Sequence, residues 1–404
     1  MQDDQLSGKK IILGLTGGIA AYKACWLTRE LIKRGAEVRV VMTPSALQFI
    51  QPLTFSSLTK HNVIVNIFPD SQVNGSSMET WHIDLVRWAD LMIIAPCTVN
   101  TAAKIAAGIT DNALLTVVSA LRSPLLLAPA ADMDMYNNKI TKRNFQTLEG
   151  MGYFFVNAEK GELASGLEGE GRLADINKII DTAEIILSGY KKDLQGKRIL
   201  ITAGPTLEDI DPVRFIGNRS SGKMGYSIAK AAFLRGAEVT LITGPVYENI
   251  YPEIELIKVR SAAEMKNAVD KEIINNDILI MAAAVADYKP AEASKHKMKK
   301  EDKLDQIKLE PTDDILSCLK NSGKKIVGFA LETDNEKENA MKKLKNKNLD
   351  MIILNSLNDR GSGFEHSTNK ITVIHKNMEQ IEFPLESKFQ AANKIISEIL
   401  KSNG

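Results

Sequence analysis

The sequence predicts an α/β protein of two doubly wound, Rossmann-like domains, and three observations carry that prediction. A strand–turn–helix–strand unit occurs twice, the later apolar runs of the two halves correspond, and 404 residues at about 150 per domain leave room for two or three cores. In the first unit, KKIILGLTGGIAAYKACWLTRELIKRGAEVRVVMTPSA from Lys9, an apolar strand meets a turn at Gly17 and Gly18. An amphipathic helix follows, stops at Gly35, and a second strand begins. The second unit starts with KRILITAGPT at Lys197 and closes with SSGKMGYSIAKAAFLRGAEVTLITGPV, so RGAEV stands at 34–38 and again at 235–239. The first strands match Ile11 to Ile199, which implies an insertion after the first strand of the second copy. Further strands are expected at ADLMIIAPC from Ala89 and NDILIMAAAVAD from Asn276, each beginning after an acidic residue and ending in small ones. Continuous apolar runs of this kind suit parallel strands buried on both faces, and strands alternating with helices suit doubly wound sheets. Ligands of such sheets sit at the carboxyl ends of the strands.

Periodicity lapses in ILSGYKKDLQG, residues 186–196, which places the domain boundary there and gives domains of 1–190 and 191–404. The stretch YKPAEASKHKMKKEDKLDQ from Tyr288 is too polar to be expected to pack. It reads either as a solvated charge run or, because it follows an apolar strand, as a lid.

Composition excludes several classes. Fifty-one basic against fifty acidic residues leave a net charge of +1, and 44% hydrophobic with 25% charged residues is ordinary globular composition, so no bulk charge invites nucleic acid or an anionic membrane. The longest apolar stretch, Ile278 to Ala286, is nine residues where a membrane-spanning helix needs about 20. MQDDQLSGKK is acidic and polar where a signal peptide is basic and then apolar, so a cytoplasmic location is expected. Cys25, Cys97 and Cys318 have no CxxC spacing and offer neither a disulfide framework nor a zinc site. His61, His296, His366 and His375 show no metal-ligand spacing.

The turn TGGIAAYK, Thr16 to Lys23, lets backbone N–H groups approach a phosphate at a helix start. It lacks GxGxxG, and Thr43 and Ser45 stand at the end of the second strand where a dinucleotide-binding acid would be, which favours a mononucleotide over NAD. HIDL from His82, APCTVNTAAKIAAGITDNALL from Ala95, PAADMDMY from Pro129 and GELASGLEGEGRL from Gly161 follow in order. With these, residues 8–185 resemble the flavin-dependent cysteine decarboxylases, which have a flavodoxin-like fold. The resemblance implies FMN bound by Gly17, Gly18, Thr43, Ser45, Thr98 and Asn100, with His82 as the catalytic histidine. In this chemistry the flavin oxidises a cysteinyl thiol to a thioaldehyde, whose C=S group accepts the electrons left by departing carbon dioxide. An imidazole of near-neutral pKa suits the proton handling. Two positions depart from the family pattern: Asp132 stands where PAMN has Asn, and Ser165 stands where the substrate clamp carries a proton-donating Cys. An ionised Asp132 would repel a substrate carboxylate, so it must be protonated, contact the amide N–H or sit to one side. A serine hydroxyl is a far weaker acid than a thiol.

In the second half, SSGKMG superficially looks like a Walker loop, but GxxxxGK[ST] is absent, because Met224 occupies the hydroxyl position. TAGPT from Thr202, EDIDPVRFIGNRSSGKMG from Glu208, AAAVADYKP, KMKK, VGFALET and KKLKNKNLD instead resemble phosphopantothenate cysteine ligase from about residue 195 onward. The resemblance implies activation of a carboxylate by CTP to an acyl cytidylate, then displacement of CMP by the amine of cysteine. It assigns Asn218 to the acyl intermediate, Asp287 and Phe329 to the nucleotide, and Lys297 to a charged mobile loop. Lys343 and Lys347, four apart, would share a helix face toward a triphosphate. Thr312 to Ile315, TDDI, matches the family's TPDI, with Asp313 in place of Pro and Asp314 and Ile315 kept. Mg²⁺ is implied by the phosphate charge, with no protein ligand assigned.

Decarboxylase followed by ligase is the order found in the bifunctional enzymes of coenzyme A biosynthesis. The expected substrates are therefore phosphopantothenate and cysteine. The expected assembly is a homo-oligomer combining trimeric decarboxylase and dimeric ligase contacts, without nucleic acid or membrane partners. Asp132 and Ser165 leave one alternative, a ligase whose N-terminal domain holds flavin for a regulatory or scaffolding role. A tandem NAD-dependent oxidoreductase is disfavoured by the missing ribose-binding acid.

Overall fold

The computed structural model describes residues 6–68, 80–298, 306–319, 323–332, 334–356, 363 and 366–401. The chain divides into two compact units that meet between Gly189 and Tyr190. In the N-terminal unit, strands β1 (Lys10–Leu15), β2 (Glu37–Met42), β3 (Leu91–Cys97), β4 (Leu125–Pro129) and β5 (Phe154–Phe155) form one parallel sheet in the order 2-1-3-4-5. That is the flavodoxin order, whose switch point lies between β1 and β3. Helices α1 (Ala24–Lys33), α2 (Pro52–Thr59), α3 (Trp81–Trp88), α4 (Val99–Ala106), α5 (Ala113–Ala120), α6 (Met133–Asn137), α7 (Lys139–Gly150) and α8 (Ile176–Leu187) accompany it. The sheet separates two apolar clusters. Leu13 and Ile93 pack on one face with Leu27 and Ile180, and Ile12 and Ile94 on the other with Leu114 and Leu148. The period-2 alternation of strand side chains makes one strand serve both cores.

A hairpin of β6 (Glu159–Glu162) and β7 (Glu168–Arg172) stands apart from the sheet and docks on the start of α6. The docking needs glycine: a Cβ on Gly171 would lie 2.2 Å from the Ala131 carbonyl oxygen, and one on Gly169 2.4 Å from Met133 Sδ.

In the C-terminal unit the strands are β8 (Arg198–Ala203), β9 (Leu207–Asp209), β10 (Phe215–Gly217), β11 (Glu238–Thr243), β12 (Glu255–Lys258), β13 (Ile278–Met281), β14 (Tyr288–Pro290), β15 (Leu309–Pro311), β16 (Lys325–Glu332), β17 (Met351–Ser356), β18 (Thr368–His375) and β19 (Gln380–Ser387). Eight of them make one sheet in the order 12-11-8-13-16-17-18-19, parallel as far as β17 and antiparallel at β18 and β19. The helices are α9 (Lys223–Leu234), α10 (Ala262–Glu272), α11 (Ile315–Cys318), α12 (Glu336–Asn346) and α13 (Lys388–Lys401). Met265 of α10 and Ala340 and Leu344 of α12 join Leu200, Leu279, Ile326 and Ile352 in one cluster, while α9 and α13 pack against each other.

Two expectations are corrected. Of the run from Ile278 to Ala286, only Ile278–Met281 is strand. The small residues beyond it leave the sheet and are tied back to β8 and the turn after it by a bridge between Pro205 and Ala284 and by hydrogen bonds from Ala283 N to Thr202 Oγ1 and from Ala286 N to Thr206 Oγ1. The stretch from Tyr288 does pack over some of its length: β14 pairs antiparallel with β15, and Ser294 N donates to the Ile210 carbonyl at 2.9 Å.

Candidate functional site

A cavity of about 550 Å³ opens at the carboxyl edge of the C-terminal sheet. It brings together Asn218, Asp287, Asp313, Asp314, Ile315, Phe329, Lys343 and Lys347, residues spread over 130 positions of sequence. Thr312 fastens the TDDI segment to the end of the β13 loop. Its N–H donates to the Asp287 carbonyl at 3.0 Å, and its hydroxyl to the Ala286 carbonyl at 2.6 Å. Asp314 pairs with Lys347. Asp313, largely exposed, lies 3.8 Å from Lys266, so the charge that replaces a proline is partly answered locally. Lys343 donates from Nζ to the Phe329 carbonyl at 2.9 Å. Burial lowers its pKa from the ordinary lysine value, against the raising effects of Glu332 and Asp287.

Asn218 donates from Nδ2 to the carbonyls of Ala284 and Val285, at 3.2 and 3.0 Å. Both amide hydrogens are thereby engaged, and to stabilise an oxyanion as a donor the amide must turn. The SSGKMG glycines have packing roles. Gly222 takes φ +76 at the cap of α9, and a Cβ on Gly225 would lie 2.5 Å from Ala203 Cβ, so α9 can sit hard against β8.

Lys297 is exposed and does not line this cavity. Its neighbour Met298 is tied down: its N–H donates to Asp211 Oδ2 at 3.2 Å, and its carbonyl accepts from Arg214 Nη2 at 2.5 Å. Burial of Asp211 raises its pKa, but donors from Val213, Arg214 and Met298 and the Arg214 charge outweigh that and hold the carboxyl below its ordinary value. Lys299 and Lys300 of the same run lie outside the described residues.

A second cavity, about 350 Å³, lies at the switch point of the N-terminal sheet. It is lined by Gly17 after β1, Thr43 and Ser45 after β2, and Thr98 and Asn100 after β3. Gly18 adjoins it, where a Cβ would come 3.4 Å from Thr98 Cγ2. At Gly17 a Cβ would lie 2.5 Å from Ser45 Cβ and 2.8 Å from its carbonyl carbon and oxygen, so only glycine lets these two turns meet. Thr98 caps α4, its hydroxyl accepting from Thr101 N at 3.4 Å, and its own N–H donates to Thr16 Oγ1 at 3.0 Å. Thr43 Oγ1 is buried with no hydrogen-bond partner among the described residues. A buried hydroxyl without a partner is costly, and here it lines a cavity of hydroxyls, an amide and a helix start. This donor set fits a phosphorylated mononucleotide such as FMN. Cys97 is no thiolate, because burial pushes its pKa up to about 12.

His82, in the first turn of α3 with Trp81 edge-on at 5.5 Å, does not line the cavity of its own chain. Asp132 and Ser165 are brought together apart from it. The Ser165 hydroxyl, in the turn of the β6–β7 hairpin, donates to Asp132 Oδ2 at 2.5 Å, while Asp132 Oδ1 caps α6 by accepting from Asp134 N. Both carboxyl oxygens of Asp132 are thus engaged, one by the hairpin turn and one by the start of α6. Among the described residues no group of three His, Cys, Asp or Glu side chains could hold a metal, and no helix is long and apolar enough to cross a membrane. Lys388, Asn355 and Asn369 also line the larger cavity and were not signalled by any motif, while Lys223 lines it from within SSGKMG, where no role had been assigned to it.

Two family models match the chain: Flavoprotein over residues 1–187, and the DNA/pantothenate metabolism flavoprotein C-terminal domain over residues 194–402. The Coenzyme A biosynthesis bifunctional protein CoaBC of Bacillus subtilis (strain 168) is 43% identical over 398 residues, 98% of this chain and 97% of that protein. A cysteine/cysteine sulfinic acid decarboxylase from an unknown prokaryotic organism is 47% identical over 360 residues, 87% of this chain and 99% of its own length. A crystal structure of the C-terminal domain of a CoaBC protein is 45% identical, covers 51% of this chain and 95% of that one, and superposes with a TM-score of 0.44. The chain therefore belongs to the family of bifunctional coenzyme A biosynthesis proteins, with a flavoprotein decarboxylase domain followed by a ligase domain.

Proposed function

We propose that the C-terminal cavity joins phosphopantothenate to cysteine at the expense of CTP, and that the N-terminal unit then decarboxylates the product to phosphopantetheine with FMN. The observation that carries this reading is the gathering of Asn218, Asp287, Phe329, Lys343 and Lys347 around one cavity at the carboxyl edge of the sheet. Asp287 and Phe329 would recognise the nucleotide, and Lys343 and Lys347 would neutralise its phosphates. A Mg²⁺ ion would take most of its ligands from the triphosphate, and Asp287, Asp313 and Asp314 are carboxylates that line the cavity. Lys297 would approach from its loop once the acyl cytidylate has formed, and exclusion of water there protects the activated acid.

FMN, when bound, supplies the two-electron oxidation of the thiol and the later return of hydride. The chain's own task is to seat its phosphate and ring with Gly17, Gly18, Thr43, Ser45, Thr98 and Asn100, to move the proton with His82, and to hold the substrate with Asp132 and Ser165. Since His82 lies outside the cavity of its own chain, the reading includes a homo-oligomer in which neighbouring copies complete the site, trimeric through the decarboxylase and dimeric through the ligase. Exposed Ile19, Tyr22 and Trp26 (62% exposed), just after the Gly17–Gly18 turn, are an apolar patch that such a contact would cover. The scaffolding alternative is not favoured by full-length relatives named as bifunctional biosynthesis proteins.

A second reading concerns the substrate of the N-terminal unit alone. The relative named for cysteine and cysteine sulfinic acid, together with Asp132 in place of Asn, points to free cysteine. Incubating the protein with phosphopantothenate, cysteine and CTP tests both readings. Phosphopantetheine with CMP and pyrophosphate supports the first. Cysteamine without CTP consumption supports the second.

A further inference from the structure

The hairpin of β9 and β10 is a two-stranded sheet of its own, and its two ends reach different places. Gly217 ends β10, so Asn218 enters the cavity directly from it. The turn at the other end carries Asp211, which is 1% exposed and divides its contacts between its two oxygens. Oδ1 accepts from Val213 N and Arg214 N, at 2.7 and 2.8 Å, and closes the turn itself. Oδ2 accepts from Met298 N at 3.2 Å and lies 3.2 Å from Arg214 Nε, while Arg214 Nη2 donates to the Met298 carbonyl at 2.5 Å. Both backbone polar groups of Met298, 84 residues from Arg214 in sequence, are thus grasped by one carboxylate and one guanidinium. Ser294 N adds a third tie, to the Ile210 carbonyl at 2.9 Å. The root of the hairpin is fixed as well: Arg260 holds Asp209 through two bonds, at 2.6 and 3.0 Å, and Glu208 accepts from Ala262 N at 2.7 Å. Burying a carboxylate is costly, and a turn does not require one, since Ser or Asn closes such turns too. The oxygen that the turn leaves over holds the segment bearing Lys297, which stands one residue, about 3.8 Å of chain, before the clasp.

We infer that Asp211 is a positioning residue for the amide-forming half of the ligation: through its clasp on Met298 it sets where Lys297 stands relative to Asn218, because one hairpin carries the asparagine and grips the lysine's segment. This rests on the ligase reading above and deepens it. Asp211 does not line the cavity and acts only through the segment it holds. Formation of the acyl cytidylate uses the groups already gathered in the cavity and proceeds without the clasp. Attack by the amine of cysteine, the step that Lys297 serves, depends on it.

The test separates the two halves in the full chain. Pyrophosphate released from CTP and phosphopantothenate in a single turnover without cysteine reports the acyl cytidylate, and addition of cysteine then gives the rate of amide formation. Asp211→Asn is nearly isosteric: its Oδ1 keeps the turn, while its amide N–H group faces Met298 N and Arg214, which both need an acceptor. Pyrophosphate release should match that of the unaltered protein, and amide formation should slow roughly 10- to 100-fold, the size of a lost charge-assisted hydrogen bond. In a Lys297→Gln background the same substitution should slow amide formation no further, whereas a merely structural role would slow it equally in both backgrounds. Asp211→Ser, whose single oxygen can close the turn but leaves Met298 and Arg214 without an acceptor, decides the matter if Asp211→Asn does not fold. Equal slowing of both halves, unchanged amide formation, or an equal loss in the Lys297→Gln background would overturn the assignment while leaving the ligase reading intact. Absence of CTP-dependent pyrophosphate release from the unaltered protein would overturn that reading and this assignment with it.

Discussion

Replacing Gly17 by alanine tests whether the flavin turn is held by contact between the ends of β1 and β2. The added methyl would lie 2.5 Å from Ser45 Cβ and 2.8 Å from the Ser45 carbonyl carbon and oxygen. Two of these three neighbours are backbone, so no rotamer change relieves the clash. Overpacking of this kind costs about 1–3 kcal/mol when the surroundings shift to absorb it. Such a shift pushes apart the turns after β1 and β2, which line the cavity together with Thr43 and Thr98. If FMN requires them in their present places, the same energy appears as a loss of affinity of roughly 5- to 150-fold. The adjacent Gly18→Ala is the control. Its methyl would meet only Thr98 Cγ2, at 3.4 Å, so the protein tolerates it, and any loss there reports a clash with the bound phosphate. The assay is titration of the flavin-free protein with FMN, followed by flavin fluorescence, alongside thermal unfolding of each variant without flavin. Wild-type affinity in Gly17→Ala would refute the reasoning, as would a flavin-free Gly18→Ala protein less stable than flavin-free Gly17→Ala.

Thr43→Val should separate folding from binding: removing a buried hydroxyl that has no partner stabilises the flavin-free protein by about 1–3 kcal/mol while FMN affinity falls, which the same two assays measure. Asp193 and Arg235 form a two-point ion pair, at 2.7 and 2.9 Å, in which Arg235 also donates to the Asn393 carbonyl and Ser397 Oγ. The hydrogen bond from Arg235 chiefly holds the Asp193 carboxyl below the ordinary aspartate value. Its stabilisation is therefore complete above that ordinary value and is lost as pH falls through the lower folded-state one. Asp193→Ala should cost about 1–2 kcal/mol at neutral pH, allowing for partial exposure, and should flatten the corresponding stretch of the acid limb in a pH series of thermal melts.

Much of the fold was legible because both halves use buried parallel strands, which appear as continuous apolar runs, and because RGAEV recurs at the same place in each βαβ unit. The misreadings have a common cause. Ala282 to Ala286 continue an apolar run yet leave the sheet because they form a cavity wall, where small side chains make room. Tyr288–Pro290 is a strand only because Leu309–Pro311 pairs with it, a partner no local window contains. The candidate sites show the same division. Gly17, Thr43, Asn218 and the Lys343–Lys347 pair announce themselves by motif and spacing. Lys388 carries no local signal, since its burial depends on α13 packing against α9. The closure of Asp132 by Ser165 likewise depends on a hairpin docking through Gly169 and Gly171, 33 residues of sequence separating the two side chains.

Whether two chemistries run in sequence on two separate folds is tested most directly by His82→Asn. The protein is given phosphopantothenate, CTP and cysteine labelled in its carboxyl carbon, and both the amide product and the released label are followed by mass spectrometry. Unaltered protein should release the label and accumulate phosphopantetheine. His82→Asn should consume CTP at the normal rate, retain the label and accumulate phosphopantothenoylcysteine. Release of labelled carbon dioxide by the folded variant, or loss of ligation together with decarboxylation, would contradict the account.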